Sequence, residues 1–269
     1  MIFVIGATGK VGRHVVSGLV ERGHAVRALA RDPNTADLPA SAEVVGGDLT
    51  DVPGLEQHAQ GADAVFLVWP FFTDAGAAEV VDSLASPAPR LVYLSAEAAG
   101  GKPESFWAAV ERHIERSGVE WAFLRPTGFA ANTLLWAPQI RDTGVVRWPY
   151  GQAARSLIDE RDIAAVAVRA LTEDGHAGAR YVLTGPATIT QAEQVRAIGE
   201  AIGRPVRFEE LSREDAEEQL SGQVPDTALD TWAGFVETPE IVTATVQDVT
   251  GQPARPFDQW ARYHAEDFR

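Results

Sequence analysis

The chain opens with a short apolar segment that runs directly into three evenly spaced glycines. Residues 2–5 are Ile-Phe-Val-Ile, and glycines follow at every third position from residue 6 to residue 12. A buried strand that enters a glycine-rich turn and then a helix lets backbone N–H groups and the helix dipole face a pyrophosphate. A helix expected at 13–21 and a strand at 25–30 complete such a unit. The sequence therefore predicts a dinucleotide-binding loop, rather than a plain connection, made of Gly6, Ala7, Thr8, Gly9, Lys10, Val11 and Gly12.

Length and composition restrict the class of protein. With 269 residues, 45% of them hydrophobic, the chain is long enough for a large α/β domain or for a domain with a smaller lobe. A net charge of −15 would repel a nucleic-acid backbone. No apolar run approaches the ~20 residues that cross a membrane, and no basic leader precedes the first strand. We expect a cytoplasmic protein that binds neither nucleic acid nor membranes directly.

Metal chemistry is not expected either. The chain has no cysteine, and no two of its six histidines are three or four residues apart. We therefore predict no metal site.

Apolar runs bounded by turn residues recur along the first half of the chain and alternate with helical segments. They lie at residues 2–5, 25–30, 43–45, 64–68, 91–94 and 121–124. Such runs predict an α/β, Rossmann-type fold, in which helices cover both faces of a doubly wound parallel sheet. We assign residues 1–150 to this domain and residues 151–269 to a smaller α/β C-terminal substrate lobe, interleaved with the first.

The pattern changes after the sixth run. Residues 126–156 are rich in Trp, Pro and Gly without a clear period, as in a segment that lines a cleft. Beyond them we expect a helix at 161–171, a strand at 181–184, a helix opened by the capping box of Thr190 and Glu193, and a helix from Pro239 to Gly251.

The end of the second strand decides which nicotinamide cofactor fits. An acidic residue there would accept a hydrogen bond from the ribose 2′-OH and repel a 2′-phosphate, but Arg31 follows Ala30. A guanidinium can pair with that phosphate and stack on adenine. We therefore expect NADP(H), the alternative being an ordinary surface arginine. Asp32, followed by proline, is expected to shape a turn.

Two further strand ends are expected to contact the cofactor. Asp48 and Leu49 follow the third strand, where the aspartate either accepts a hydrogen bond from adenine or only caps a turn. Val68 and Trp69 end the fourth strand and begin an apolar wall that continues through Phe72.

Several short strings together resemble one protein family. Besides the glycines and Arg31, they are Gly47-Asp48-Leu49, Leu124-Arg125-Pro126, Asp162-Ile163-Ala164, Tyr181-Val182-Leu183-Thr184-Gly185-Pro186, Val249-Thr250-Gly251 and Phe257-Asp258-Gln259-Trp260. From end to end the chain resembles the NmrA-like branch of the atypical short-chain dehydrogenases, especially bacterial NAD(P)H:quinone reductase-like proteins. The resemblance implies a Rossmann core with a smaller substrate lobe. It implies activity less firmly, because the family also contains cofactor-sensing regulators without turnover.

The resemblance also draws attention to a missing pair. Short-chain dehydrogenases usually protonate the nascent alkoxide with a tyrosine that is activated by a lysine four residues later. None of the four tyrosines here has a lysine at that distance, since the only lysines are Lys10 and Lys102. In the corresponding helix, residues 106–117, related sequences show His-x-x-x-Glu. Here Trp107 stands in the histidine position and Glu111 follows one turn later.

The missing pair restricts the acceptor. Hydride transfer to a simple ketone leaves a strongly basic alkoxide, for which general acid catalysis is worth roughly 10²–10⁴-fold. A quinone or extended enone leaves a delocalised, weakly basic anion. We therefore expect an NADP(H)-dependent reductase acting on an apolar, conjugated, quinonoid or aromatic small molecule. Two alternatives stay open, a non-catalytic NADP(H)-sensing regulator with a protein partner and a non-redox isomerase or cyclase. The oligomeric state is also open, a homodimer included.

The candidate catalytic residues are Ser95, Trp107 and Asn132. The Ser95 hydroxyl, after the fifth strand, either holds a carbonyl oxygen or satisfies the loop backbone. Trp107 is expected on the buried stripe of its helix, and Glu111 in solvent. Asn132 follows the sixth strand among aromatic residues that either meet a flat ligand or pack between lobes.

Overall fold

The structure, a computed structural model, describes residues 1–222, 224 and 227–269. Eleven strands lie among these residues: β1 (Ile2–Val4), β2 (Val26–Ala30), β3 (Glu43–Gly46), β4 (Ala64–Val68), β5 (Arg90–Leu94), β6 (Glu120–Pro126), β7 (Val145–Trp148), β8 (Ala154–Arg155), β9 (Ala179–Leu183), β10 (Ile189–Thr190) and β11 (Arg207–Glu210).

The same residues form twelve α-helices: α1 (Gly12–Glu21), α2 (Val52–Ala59), α3 (Ala77–Ala85), α4 (Ala98–Gly101), α5 (Phe106–Ser117), α6 (Ala137–Thr143), α7 (Glu160–Thr172), α8 (Gln191–Ile202), α9 (Arg213–Gln219), α10 (Ala228–Glu237), α11 (Thr245–Thr250) and α12 (Phe257–Tyr263). Short 3-10 helices cover Pro33–Thr35, Ala130–Trp136 and Ala265–Phe268. Within the described ranges, no helix is long and apolar enough to cross a membrane.

Contacts divide the chain into two compact units. The first consists of Met1–Thr127, Glu160–Leu183 and Thr245–Gln252. The second consists of Gly128–Asp159, Thr184–Ala244 and Pro253–Arg269.

The first unit is built on a parallel sheet of seven strands. Their order is β3-β2-β1-β4-β5-β6-β9, and every neighbouring pair is parallel. Helix α7 contacts both α1 and α11, and α3 contacts both α2 and α5. Because helices cover the strands, side chains such as Phe3, Leu67 and Phe123 are fully buried. The Rossmann-type doubly wound fold expected from the sequence is confirmed.

The strand order reverses between β1 and β4, which are neighbours in the sheet. In doubly wound sheets, ligands bind outside the carboxyl ends of the strands at such a switch point. The glycine loop follows β1 directly, so the topology places it at this position.

The second unit has its own core and two small sheets. β7 pairs in parallel with β11, and β8 pairs antiparallel with β10. Its buried residues include Trp136, Trp148, Ile198 and Trp260. The predicted capping box opens α8, since the Thr190 side chain accepts from the Glu193 N–H and the Glu193 carboxylate accepts from Thr190.

Two stretches beyond β6 have elements that the sequence did not indicate. Residues 126–156 show no clear period, yet they contain a 3-10 helix, α6, β7 and β8. These elements have at most seven residues each, too few to show a period. The helix expected from Pro239 starts only at Thr245, since Thr238 is extended and closes α10.

Candidate functional site

The glycine loop is shaped by two glycines that the fold itself requires. Gly6 has φ of +80°, and a Cβ on it would lie 2.8 Å from the Cβ of Val68 at the end of β4. A Cβ on Gly12 would lie 2.0 Å from the Gly6 carbonyl oxygen. The first glycine thus makes the tight turn, and the third allows α1 to pack closely on the loop.

Gly9 has a different role. A Cβ on it would meet only the Gly6 carbonyl oxygen, at 3.2 Å, so the fold nearly tolerates a side chain there. Residues 8–10 are exposed, while Ala7 and Val11 on either side are buried and hold the loop in place. An exposed glycine between buried anchors is what close approach of a pyrophosphate to the backbone requires.

The first turn of α1 also suits an anion. In this helix, which is described throughout, no acidic residue lies in the first turn and no side chain caps Val11. The positive end of the helix dipole is therefore not offset by a carboxylate. Together with the exposed backbone at Gly9, it fits the pyrophosphate of a dinucleotide.

Arg31 and Asp48 lie at the same edge of the sheet as the loop. Arg31 is exposed directly after β2, and Asp48 is exposed after β3, which pairs with β2 in parallel. Hydrogen bonds from the Thr50 hydroxyl and N–H hold the pKa of Asp48 below its usual range, with a smaller contribution from the charge of Arg31. The guanidinium thus belongs to an exposed rim at this edge.

The carboxylates beside Arg31 are engaged locally. Asp48 Oδ1 accepts from Thr50 N (2.9 Å) and Thr50 Oγ1 (2.7 Å), and Asp32 Oδ1 accepts from Asn34 N (3.0 Å). Asp32 therefore shapes a turn, as expected. The contacts of Arg31, Asp48 and the buried Leu49 with a cofactor stay predictions.

Val68 and Trp69 lie at the carboxyl end of β4. Val68 contacts the glycine loop, as its closeness to Gly6 shows. Trp69 is buried, its indole N–H donates to the Thr73 carbonyl oxygen (2.7 Å), and its ring meets Phe71 edge-on. Phe72 is 82% exposed. This stretch thus has a fixed inner part and an exposed outer part, and its contact with a cofactor stays a prediction.

Ser95 belongs to a buried network that the sequence did not predict. Ser95 Oγ donates to Glu111 Oε1 (2.6 Å). Glu111 also accepts from Arg125, from Nε to Oε1 (2.9 Å) and from Nη2 to Oε2 (2.5 Å). Glu111 is buried, so the expectation that it is solvated is wrong, because a bidentate arginine partner makes burial of a carboxylate tolerable.

The network fixes the polarity of the Ser95 hydroxyl. A carboxylate only accepts hydrogen bonds, so the single hydroxyl proton of Ser95 is directed at Glu111. Toward any other group, the Ser95 hydroxyl can therefore act only as a hydrogen-bond acceptor. Glu111 in turn raises the pKa of Arg125, mainly through the hydrogen bond between the two side chains.

Tyr93 lies beside this network without joining it. Its hydroxyl is buried and has no hydrogen-bond partner among the described residues. Burial, together with the nearby charge of Glu111, raises the pKa of Tyr93 well above its usual range. Tyr93 is therefore not a source of protons at neutral pH.

Trp107 is only half-buried and lies outside the hydrophobic core cluster of the first unit. Its ring packs on Phe106 with centroids 4.1 Å apart. The buried stripe of α5 consists instead of Ala108, Ala109, Val110, Glu111 and Ile114. The expectation of a buried Trp107 is wrong, and its predicted place near the substrate stays untested.

Asn132, the third candidate catalytic residue, lies in the second unit. It is exposed in the 3-10 helix after β6 and lines a cavity of about 240 Å³. Phe129, Trp136, Trp148 and Arg155 also line this cavity, and all of them belong to the same unit. The expectation of aromatic residues around Asn132 is thus met within one unit. Among the residues with described positions, no group of three or more His, Cys, Asp or Glu could hold a metal ion.

Sequence reasoning missed the roles of Arg125, Trp148 and Arg155. Arg125 had a signal, because a charged residue within the apolar strand β6 needs a buried partner. Trp148 and Arg155 fall in the stretch that showed no period, so the sequence did not indicate that they share a cavity.

Comparison with known proteins places these features in a family. A family model described as NAD(P)H-binding matches residues 6–174. The chain is 42% identical to the (4-alkanoyl-5-oxo-2,5-dihydrofuran-3-yl)methyl phosphate reductase of Streptomyces griseus, over all of this chain and 99% of that protein. It is 34% identical to an NAD(P)H azoreductase of Xenophilus azovorans, with the same coverage.

A solved structure shares the fold. The NADPH-dependent quinone oxidoreductase from Escherichia coli, in complex with NADPH, superposes with a TM-score of 0.80 over 98% of this chain and 99% of that chain. The two sequences are 24% identical. The likeness extends over both units of the chain.

Proposed function

The chain belongs to the NAD(P)H-binding family, and on that premise we propose that it is an NADP(H)-dependent reductase that transfers hydride to a conjugated, electron-poor small molecule. When bound, the reduced nicotinamide supplies the hydride. The glycine loop at residues 6–12 holds the pyrophosphate through its backbone and the first turn of α1. Arg31 pairs with the 2′-phosphate, which favours NADP(H) over NAD(H).

The observation that carries the choice of acceptor is the state of Ser95. Its proton is donated to Glu111, which also accepts from Arg125, and the Tyr93 hydroxyl beside it is buried. The sequence also lacks a tyrosine followed by a lysine four residues later. The described residues at the end of β5 thus offer no proton to a reduced acceptor. This favours an acceptor whose reduced anion is stable enough for water to protonate it.

The named relatives agree with this class of acceptor. The azoreductase and the dihydrofuranone phosphate reductase are reductases of conjugated molecules by their names. Neither name refers to a simple ketone. We infer that positioning and exclusion of water contribute more here than acid catalysis.

The test is steady-state oxidation of NADPH with a panel of acceptors. We expect turnover with menadione and with azobenzene dyes, and none above background with cyclohexanone. Gly9→Asp places a carboxylate where the pyrophosphate would lie, and should abolish turnover without unfolding the protein. Tight NADPH binding without turnover of any conjugated acceptor would refute the reductase and favour a cofactor sensor.

Cofactor choice is tested separately with Arg31→Ala. A charge-assisted hydrogen bond is worth about 1.5–3 kcal/mol, so NADPH affinity should fall roughly 10- to 100-fold while NADH affinity stays nearly constant. Arg22→Ala, which removes an exposed arginine at the other end of α1, is the matched control. Unchanged discrimination between NADPH and NADH in Arg31→Ala would disprove the assignment.

A further inference from the structure

The cavity of the second unit is built as a box of aromatic rings. Trp136 and Trp148 meet edge-on with centroids 5.8 Å apart, and Trp148 and Trp232 lie 5.5 Å apart. Phe129 adds a fourth ring, and the volume of the cavity is about 240 Å³. Rings that line a cavity of this size favour a flat, apolar ligand of one or two rings.

The box also contains a cation whose donors are not all used. Arg155 Nη2 donates to Glu240 Oε1 (3.0 Å), and the guanidinium carbon lies 5.2 Å from the ring centroid of Phe235. Arg155 Nε is buried and has no partner among the described residues. A guanidinium carries five N–H donors, and Nη2 to Glu240 is the hydrogen bond that Arg155 makes with a described side chain.

Glu240, the partner of Arg155, accepts several hydrogen bonds. Glu240 also accepts from Ser156 N (3.0 Å) and from Ser156 Oγ (3.3 Å), and its side chain is 10% exposed. Three donors thus stabilise the charge of Glu240. Because Ser156 supplies two of these donors, Glu240 needs one N–H group of the guanidinium, and the guanidinium can also bind a second anion.

A further unused donor lies in the wall. The indole N–H of Trp148 is buried and has no partner among the residues described. An unmet buried donor costs about 1–3 kcal/mol, which a ligand oxygen would recover after a small shift of the ring. Among the buried side-chain atoms described in this unit, two donors and no acceptor are unmet, which favours a ligand that brings acceptor oxygens.

The walls are held rigidly. The Gln191 side-chain nitrogen donates to the carbonyl oxygens of Pro149 and Tyr150 (both 3.0 Å), and that of Gln194 donates to Ile189 (3.1 Å). Both glutamines are buried and line the cavity. The shape of the box is thus fixed before a ligand enters, which reduces the entropic cost of binding.

We propose that this box binds the conjugated ring system of the acceptor, and that Arg155 recognises an anionic oxygen substituent on it: a carboxylate, sulfonate or phosphate. The assignment of the ligand as the hydride acceptor rests on the proposed reductase function. The binding of an anionic aromatic molecule does not. The chain has a net charge of −15, which repels anions at long range. A preference for an anionic ligand therefore requires a cation within the site, and Arg155 is that cation.

The probes are azobenzene-4-carboxylate and azobenzene-4-carboxamide, which have nearly the same shape and differ in charge. Binding of each is measured by titration calorimetry on the full chain without cofactor, and turnover is measured with NADPH. We expect the carboxylate to bind roughly tenfold more tightly than the carboxamide, as for a charge-assisted bond. The preference should weaken as the salt concentration rises.

The decisive variant is Arg155→Gln combined with Glu240→Gln, which removes the pair without leaving an unpaired charge. It should bind both probes equally, while Trp148→Phe should weaken both. Arg262→Gln with Asp258→Asn, which removes an exposed ion pair of α12 in the same unit, is the matched control and should keep the tenfold preference.

The outcomes separate this proposal from the proposed function. A carboxylate preference that depends on Arg155, without reduction of either probe, supports the box as an anion site but overturns the assignment of its ligand as the hydride acceptor; the reductase itself is refuted only if menadione is not reduced either. Reduction of both probes at equal efficiency in wild type and variant supports the reductase and overturns the box. A preference that survives Arg155→Gln with Glu240→Gln places the anion elsewhere and also overturns it. Extending the titrations to phenyl phosphate and benzenesulfonate identifies which anionic group fits best.

Discussion

Arg125→Met should destabilise the first unit strongly, because it leaves a buried carboxylate without its cation. The Glu111 side chain is 4% exposed and accepts two hydrogen bonds from Arg125. Each charge-assisted bond is worth about 1.5–3 kcal/mol, which gives about 3–6 kcal/mol in total. Removing one partner of a buried ion pair typically costs about 3–5 kcal/mol, in agreement with that sum.

The double variant Glu111→Leu with Arg125→Met supplies the comparison. Replacing a buried ion pair by apolar residues is often nearly neutral, so the double variant should be at least about 2 kcal/mol more stable than Arg125→Met alone. Arg116→Met, at an exposed arginine on α5, is the control and should stay within about 0.5 kcal/mol of wild type.

The assay is urea denaturation followed by circular dichroism, with hydrogen exchange on peptides from β5, β6 and α5 to locate the loss. Faster exchange in these three elements is expected in Arg125→Met. A cost below about 1 kcal/mol, or a double variant as unstable as the single one, would show that burial of Glu111 does not depend on Arg125.

Three further changes test other parts of the site. Tyr93→Phe removes a buried hydroxyl without a described partner, so the free energy of unfolding should rise by about 1–3 kcal/mol. The pKa of Tyr93 is raised in the folded state, so above pH 10.0 the tyrosine ionises in the unfolded state first and the protein loses stability. Tyr93→Phe should therefore lose less stability than wild type on the alkaline side. An equal alkaline loss in urea titrations would contradict this. Gly9→Ala should fold normally but bind NADPH at least about tenfold more weakly, because its methyl group would separate the pyrophosphate from the backbone. Gly12→Ala should instead lose about 1–3 kcal/mol of stability, because its methyl group would collide with the Gly6 carbonyl oxygen. Wild-type NADPH affinity of Gly9→Ala in calorimetry would disprove the approach of a ligand to that glycine. Ser95→Ala should keep kcat/KM for a quinone within about tenfold of wild type, because the Ser95 proton is donated to Glu111. A loss of roughly 10²–10⁴-fold would instead identify Ser95 as a general acid.

The parts of the fold with a strong local signal could be predicted from the sequence. The run at residues 64–68 is the observed strand Ala64–Val68, since a short continuous apolar segment between turns is typical of a buried strand. The Thr190 and Glu193 capping box opens a helix as predicted, because its hydrogen bonds join residues three apart. The glycine spacing also indicated the family, which the NAD(P)H-binding match and the reductase relatives confirm.

Features that depend on distant residues could not be predicted in the same way. Glu111 was expected in solvent because unpaired carboxylates avoid burial, and its partner Arg125 comes from a neighbouring strand 14 residues later. The helix predicted from Pro239 assumed that proline opens a helix. Instead, Glu240 supplies a carboxylate to Arg155, 85 residues earlier in the chain. Local sequence rules do not include partners at these distances.

The two arginine–glutamate pairs differ in how far the arginine donors are used, and we assign them different roles for that reason. In the first unit, Glu111 is the shared acceptor, and Arg125 directs two donors at it, so the pair fixes the proton of Ser95. In the second unit, Glu240 is again well supplied, but Arg155 gives it only one of its donors and keeps a buried Nε–H without a described partner. A satisfied arginine stabilises the fold around it, whereas a partly satisfied one lowers the cost of binding an anion. The prediction that Arg155 discriminates between charged and neutral acceptors follows from this difference, and Arg125 should show no such effect.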